Sequence, residues 1–371
     1  MFLKRVSLVV LGATVLLACG CFPTARRQTL WRYNGWLEVH AASEEALTEL
    51  VEKEGWRPVV VTERGIFELS LAARTAIPLY TTRDSILAAA LPTTERLVVI
   101  ERKRGDVAVI VTYDLGQARQ LAQTRVELPH SWCPYAFSSP VLVTEGCAVL
   151  PVQKGLARLD LRNGTSELLE REWGDCWVTS IVEARGRYYV LVVSPDLKGE
   201  QQLLVVSAGT SFDLLGDVPG VSNVVLAGEQ VVVQQGAAIH LLLPDLQLEQ
   251  LVERGVLLCE SGNDSFLYDT SSDAVGLWHY SGTVCNYSLH RRRSREVLRG
   301  LARTRSDAYL LHPAFVSPDG SHVFMPEDIG VSLHASPFQY SVYDLGTGHR
   351  VGAFFHPYLG TCDFGRVLGW L

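Results

Sequence analysis

The chain is predicted to be an all-β propeller, most simply of seven four-stranded blades, with six to eight compatible with the spacing. Three observations predict it. A strand–turn–strand phrase recurs in Val109–Gly116, Leu156–Gly164 and Tyr340–Gly348, with weaker copies at Phe67–Leu71, Leu203–Gly209, His240–Leu246 and Asn286–His290. Aligned on Ser70, Asp114, Asp160, Ser207, Asp245, His290 and Asp344, the copies lie 44, 46, 47, 38, 45 and 54 residues apart. A period of that size, built of strands alone, is that of one propeller blade. Short strand candidates such as Arg96–Glu101, Tyr188–Val193 and Gln230–Gln234 alternate with turn signals at 162–165, 228–230, 318–320 and 346–348. Runs such as Val59–Val61, Val231–Val233 and Leu241–Leu243 are apolar on both faces, as strands covered by a neighbour on each side must be.

Taken in chain order, Lys4 and Arg5 open a short basic region, and Val6–Leu17 is an apolar stretch too short to span a bilayer but right for the core of a signal peptide. It runs into Leu16-Leu17-Ala18-Cys19. Here the chain resembles a bacterial lipoprotein precursor, although Leu17 departs from the small residue usual at that position. The resemblance implies a signal peptide over 1–18, cleavage before Cys19, and a lipid on Cys19 as the new N-terminus. It further implies a cell-envelope location, in the outer membrane where the source has one. An ordinary secretory leader cleaved nearby, or a retained anchor, is the alternative. Residues 19–28 then form a tether.

Residues 29–56 form an N-terminal extension unlike the repeats. Thr29–His40, with Trp31, Tyr33 and Trp36, is expected to be extended. Ser43–Glu54 is expected to be a helix, with Ser43 as cap, Glu44 and Glu45 in the first turn and Gly55 as stop. Its apolar residues Ala46, Leu47, Leu50 and Val51 share one face, suited to capping the propeller. Residues 57–371 form the ring. Its first phrase begins with what look like middle strands, whereas Arg366–Leu371 is a strand with no later sequence to complete its blade. The C-terminal strand is therefore expected to close the ring as the innermost strand of the first blade.

Hydrophobic residues make up 47% of the 371 and charged residues 20%, which suits a folded core. The formal net charge of −7 gives no support to a general binder of nucleic-acid backbones, which would be basic. Eight cysteines are present. Cys147 and Cys259 lie in apolar strand contexts and read as small core residues. Cys133 and Cys176 stand 43 residues apart, each beside a tryptophan and each just before the first strand of a blade. One full repeat of separation puts them on the same rim, which admits a disulfide.

The segment Ala314–Phe324 contains Ser317-Pro318-Asp319-Gly320 and resembles the hairpin of propellers in the Tol-system and dipeptidyl-peptidase-type families, with Val316 as an extra residue. The turn at 344–348, Asp-Leu-Gly-Thr-Gly, resembles that of quinoprotein and WD-type repeats. These resemblances imply a fold and carry no activity.

No serine-nucleophile elbow, zinc-binding helix motif, Cys-x-x-Cys, phosphate loop or EF-hand spacing occurs. The ten histidines are scattered, and the acidic stretch 263–273 places Phe266 and Leu267 where calcium ligands would stand. No metal or cofactor is expected. The sequons at Asn163, Asn263 and Asn286 need a eukaryotic secretory route and read as chance. One surface feature stands apart, the run 290–305 with seven arginines in an acidic chain. It falls in the longest repeat. Arg291, Arg292, Arg293, Arg295 and Arg299 suit either a solvated turn or a contact for acidic partners or anionic head groups. The expected function is a non-catalytic envelope lipoprotein acting as an interaction scaffold or accessory subunit for envelope protein partners. The alternatives are an enzyme at the channel mouth, of hydrolase or lactonase/lyase type, and a small-molecule sensor.

Overall fold

The structure is a computed structural model. It describes residues 38–41, 57–61, 65–70, 75–93, 95–103, 107–127, 141–144, 146–152, 155–171, 177–193, 201–270, 279–280, 283–299, 303–304, 314–317, 319–328, 338–355 and 366–370. The expected helix over Ser43–Glu54 lies outside these residues, as do Cys19, Cys133 and Cys176.

Seven antiparallel sheets make the ring, consistent with a seven-bladed propeller. Written from the inner strand outward, blade 2 is Ser85–Thr93, Arg96–Arg102, Val107–Asp114 and Arg119–Glu127. Blade 3 is Leu142–Val143, Cys147–Val152, Gly155–Asp160 and Ser166–Glu170, and blade 4 is Trp177–Ala184, Arg187–Val193, Gln202–Ser207 and Leu214–Pro219. Blade 5 is Val221–Ala227, Gln230–Gln235, Ala238–Leu242 and Leu248–Val252. Blade 6 is Val256–Glu260, Ser265–Asp269, Thr283–Ser288 and Arg293–Arg299.

The two remaining blades involve the chain ends. In blade 1 the C-terminal strand Arg366–Trp370 is the inner strand, followed by Pro58–Val61, Gly65–Ser70 and Thr75–Thr81. It pairs antiparallel with Pro58–Val61, from Pro58 opposite Trp370 to Val61 opposite Arg366. Blade 7 is Phe315–Val316, His322–Asp328, Phe338–Asp344 and Arg350–Phe355, and Glu38–Ala41 adds a fifth strand along its outer edge. A two-stranded ribbon, His279–Tyr280 with Arg303–Thr304, forms a sheet of its own, its Arg303–Thr304 strand lying against His322–Asp328 of blade 7.

The inner strands identify the centre, because they touch in succession from Arg366–Trp370 through blades 2 to 7. The cores lie between blades. Along Arg96–Arg102, Leu97 and Val99 pack with Val59 and Ile66 of blade 1, whereas Val98 and Ile100 pack with Ala148 and Leu150 of blade 3. Along Arg187–Val193, Tyr188 and Val190 face blade 3 and Tyr189 and Leu191 face blade 5. A strand side chain alternates faces residue by residue, so a middle strand pressed on both sides must be apolar throughout.

The recurring phrase marks the hairpin between the third and outer strands. Asp114, Asp160 and Asp344 each end a third strand, and their carboxylates accept backbone N–H bonds from Gln117 at 2.8 Å, Arg162 at 2.7 Å and Thr347 at 2.7 Å. Such a side chain holds the turn that its own strand enters. Four residues beyond each, Ala118, Gly164 and Gly348 have positive φ of 48°, 74° and 75°. The same left-handed corner recurs at Leu246 and Arg292 in blades 5 and 6. In blade 6 counting back four places the phrase end at Ser288, not at His290 as the sequence alignment has it, whereas in blade 5 the Leu246 N–H bonds the Leu243 carbonyl three residues back and the turn is one residue shorter. In blade 3 the strand start needs glycine for a second reason. Gly155 has φ 146°, and a Cβ there would sit 1.9 Å from the Leu169 carbonyl oxygen of the neighbouring strand.

Candidate functional site

The arginine run divides between a turn and an outer strand. Arg291 and Arg292 lie in the turn after Thr283–Ser288, and Arg293–Arg299 is the outer strand of blade 6. That strand has ordinary length, so the extra residues of this repeat do not sit at the arginines. They fall in the connections at 300–314 and 329–337 that follow it.

Cross-strand neighbours point to the same side of a sheet. Arg293 lies opposite Ser288 and Arg295 opposite Asn286, while Ser294 and Glu296 lie opposite Tyr287 and Cys285. Cys285 and Tyr287 belong to the core shared with blade 5, and Val284 to the core shared with blade 7. Arg293 and Arg295 therefore project on the blade 7 side. Ser294 takes the other side, where it accepts a 2.9 Å hydrogen bond from the Tyr268 hydroxyl. Arg292 turns towards blade 5 and forks onto Glu249, with Nη1 at 2.9 Å from Oε1. Arg291, Arg293 and Arg295 are exposed and have no ion-pair partner among the described residues. Of Arg299 only the backbone position is described, opposite Thr283.

Three polar clusters elsewhere were not legible in the sequence, since each joins residues from separate strands. In the first, Glu101 is buried at the junction of blades 1 and 2. The Tyr80 hydroxyl donates to its Oε1 at 2.6 Å and Lys103 Nζ to its Oε2 at 2.9 Å, while Lys103 also reaches Asp84. Burial alone would raise the Glu101 pKa, but bonds from Tyr80, Thr82 and Lys103 outweigh it and hold the value below 4.5. Burial, with Glu101 as hydrogen-bond partner, pushes the Tyr80 hydroxyl up, and the bonds to Asp84 and Glu101 raise Lys103. The cluster is a saturated ion network that ties two blades.

A depressed folded-state pKa contributes stability above the unfolded value and loses it as pH falls through the folded one. Glu101→Gln is therefore expected to melt below the wild type at neutral pH, with the gap shrinking as pH drops below about 4.5. Thermal melts of both proteins between about pH 3 and pH 7 check this; a gap independent of pH contradicts it.

The second cluster lines a cavity of about 240 Å³ between blades 3 and 4. Arg158 lines it, with Nε 2.9 Å from Glu167 Oε2, Nη1 donating to the Gly209 carbonyl at 2.7 Å, and its guanidinium 5.1 Å from the centre of the Phe212 ring. Beside it the Cys147 Sγ lies 3.4 Å from the Tyr188 hydroxyl. Burial, then the Cys147 contact, raises the Tyr188 pKa. The guanidinium charge is met by Glu167, so the cavity offers no free cation to an anionic ligand.

The third cluster has the letters of a serine–histidine–aspartate triad. His322 Nδ1 is 2.7 Å from Ser321 Oγ and its Nε2 is 3.7 Å from Asp344 Oδ2. However, the imidazole is 1% exposed, and the Ser321 hydroxyl also bonds Asp319 at 2.7 Å. The group ties the 317–321 hairpin to the Asp344 turn within blade 7. Among the described residues no cluster of three or more His, Cys, Asp or Glu side chains could hold a metal ion.

No protein-family model matches the chain, and no curated protein does. Solved structures resemble it at the level of fold. An uncharacterized protein from Listeria monocytogenes is 10% identical over 80% of this chain and 91% of its own, with a TM-score of 0.47. Oligogalacturonate lyase from Vibrio parahaemolyticus is 9% identical over 80% and 84%, with a TM-score of 0.49. TolB from Acinetobacter baumannii is 12% identical over 85% and 66%, with a TM-score of 0.42. Likenesses this distant carry nothing about activity or partners.

Proposed function

We propose that the chain is a lipid-anchored propeller of the bacterial cell envelope, working as an interaction scaffold or accessory subunit for another envelope protein. The observation that carries the reading is where apolar surface is left uncovered. Among the described residues the exposed large apolar side chains, Ile77, Leu121, Leu214 and Leu215, all lie on outer strands, in blades 1, 2 and 4. Among the described residues those strands have no neighbour on their outer side. An open edge offers backbone donors and acceptors to a further strand, and exposed aliphatic residues add the apolar contact that a partner would cover. Blade 7 supports the idea from within the molecule, since its outer edge accepts Glu38–Ala41 as a fifth strand. The polar clusters, by contrast, spend their hydrogen bonds on one another and favour a structural role.

A photo-crosslinking residue placed in turn at 77, 121, 214 and 215 in cells tests the reading. A discrete adduct from at least one of these outer-strand positions, and none from the buried position 204, is expected. The absence of any adduct from all four positions in correctly folded protein counts against the scaffold.

A further inference from the structure

The outer strand of blade 6 and the N-terminal strand lie on adjoining parts of the ring wall. Blade 7's turn packs on the blade 6 strand so closely that a Cβ on Gly348 would stand 2.8 Å from the Val297 carbonyl oxygen. Leu298 and Val297 share a core with Val323 and Tyr343 of blade 7. Glu38–Ala41 runs along the outer edge of that same blade, with Glu38 opposite Phe355. Glu38 thus lies at the end of the blade 7 outer strand remote from the 344–348 turn, whereas the unpaired Arg293 and Arg295 stand at the turn end of the blade 6 outer strand and project on the blade 7 side.

The sequence of the departing segment carries the same charge. Residues 19–37 contain Arg26, Arg27 and Arg32 and no acidic residue, in a chain whose net charge is −7. Trp31, Tyr33 and Trp36 accompany them, the residue types that favour a membrane–water interface. Cys19 is 19 residues from Glu38, a span of about 65 Å at full extension. That reach allows a bilayer holding Cys19 to meet either end of the wall.

We propose that the wall of blade 6, through Arg291, Arg293 and Arg295, docks on an anionic lipid surface that a lipid on Cys19 reaches through the segment before Glu38. The inference deepens the scaffold reading, and rests on its lipid anchor, by saying which side of the ring lies against the membrane. Guanidinium groups suit phosphate head groups because they fork onto two oxygens and give up hydration readily. Each arginine held at an anionic surface is worth about a five-fold gain in binding, so three contribute on the order of a hundred-fold. The open aliphatic edges of blades 1, 2 and 4 then remain available to a protein partner.

The test uses the full mature chain carrying Cys19→Ser, so that no lipid anchor contributes and failure of the anchor is read separately. Cosedimentation is measured with vesicles of phosphatidylethanolamine and phosphatidylglycerol, and with vesicles of phosphatidylcholine alone. Binding is expected only to the anionic vesicles and is expected to weaken as salt rises. R291E/R293E/R295E should lower it on the order of a hundred-fold with an unchanged melting temperature. R291Q/R293Q/R295Q, which removes charge without reversing it, should lose less and guards against a folding defect. Equal binding by wild type and both variants overturns the proposal. So does an absence of vesicle binding, whether or not an acidic polypeptide such as polyglutamate is retained.

Discussion

Deleting residues 366–371 is expected to abolish cooperative folding of the ring. Arg366–Trp370 supplies the inner strand of blade 1, and among the described residues no other strand lies on that side of Pro58–Val61. Without it, Pro58–Val61 becomes an uncovered strand at the centre of the molecule. The succession of inner strands, in which 366–370 touches Ser85–Thr93, is broken. A row of unsatisfied backbone groups and an opened inter-blade core each cost several kcal/mol. Their sum is comparable to the whole margin of about 5–15 kcal/mol by which a domain is stable. Urea titration followed by far-UV circular dichroism checks this. A single transition with an unchanged midpoint in the deleted protein contradicts the closure.

The second large effect is expected from Phe266→Ala. Phe266 is fully buried between blades 5 and 6, stacked on Tyr287 with centroids 5.2 Å apart and planes 18° from parallel. Tyr268 tilts against it at 6.2 Å, and Val232 and Ile239 of blade 5 close the other side. Truncation removes the ring and leaves a cavity that two opposed sheets cannot collapse to fill. The expected cost is about 3–5 kcal/mol, read as a lower denaturation midpoint at unchanged slope. Leu215→Ala, on an outer strand where Leu215 is 50% exposed, should change stability by less than about 0.5 kcal/mol. A loss below about 1 kcal/mol for Phe266→Ala would show that the inter-blade packing is not the source of stability.

The period was legible because the hairpin chemistry repeats. An aspartate at the end of the third strand, and a left-handed residue four positions on, hold that turn in blades 2, 3 and 7. Where another residue does the job the alignment slips: Ser288 takes the aspartate's place in blade 6, its Oγ accepting the Arg291 N–H at 3.3 Å. The doubly apolar strands were legible for the same reason, since each blade is covered on both faces. What the arginines do was less legible. Their number is plain in the sequence, but which of them is spent depends on Glu249 in another blade, and which side they face depends on a bulge at Val284/Cys285. The Glu101, Arg158 and His322 clusters were invisible because each needs a partner from another strand or turn, Tyr80 for Glu101, Gly209 for Arg158 and Asp344 for His322, that only the fold brings near. Glu38–Ala41 lay within a stretch expected to be extended, but its place on blade 7 could not be read from its own residues.

The proposed membrane-bound scaffold requires Cys19 to be the mature N-terminus. Intact-mass measurement of the protein extracted from its native membrane tests this directly. A chain beginning at Cys19 with added diacylglyceryl mass is expected, and Cys19→Ser should remain unprocessed or appear in the soluble fraction. A mature chain that begins elsewhere without lipid, or a Cys19→Ser protein that is processed normally and still partitions into detergent, contradicts the account.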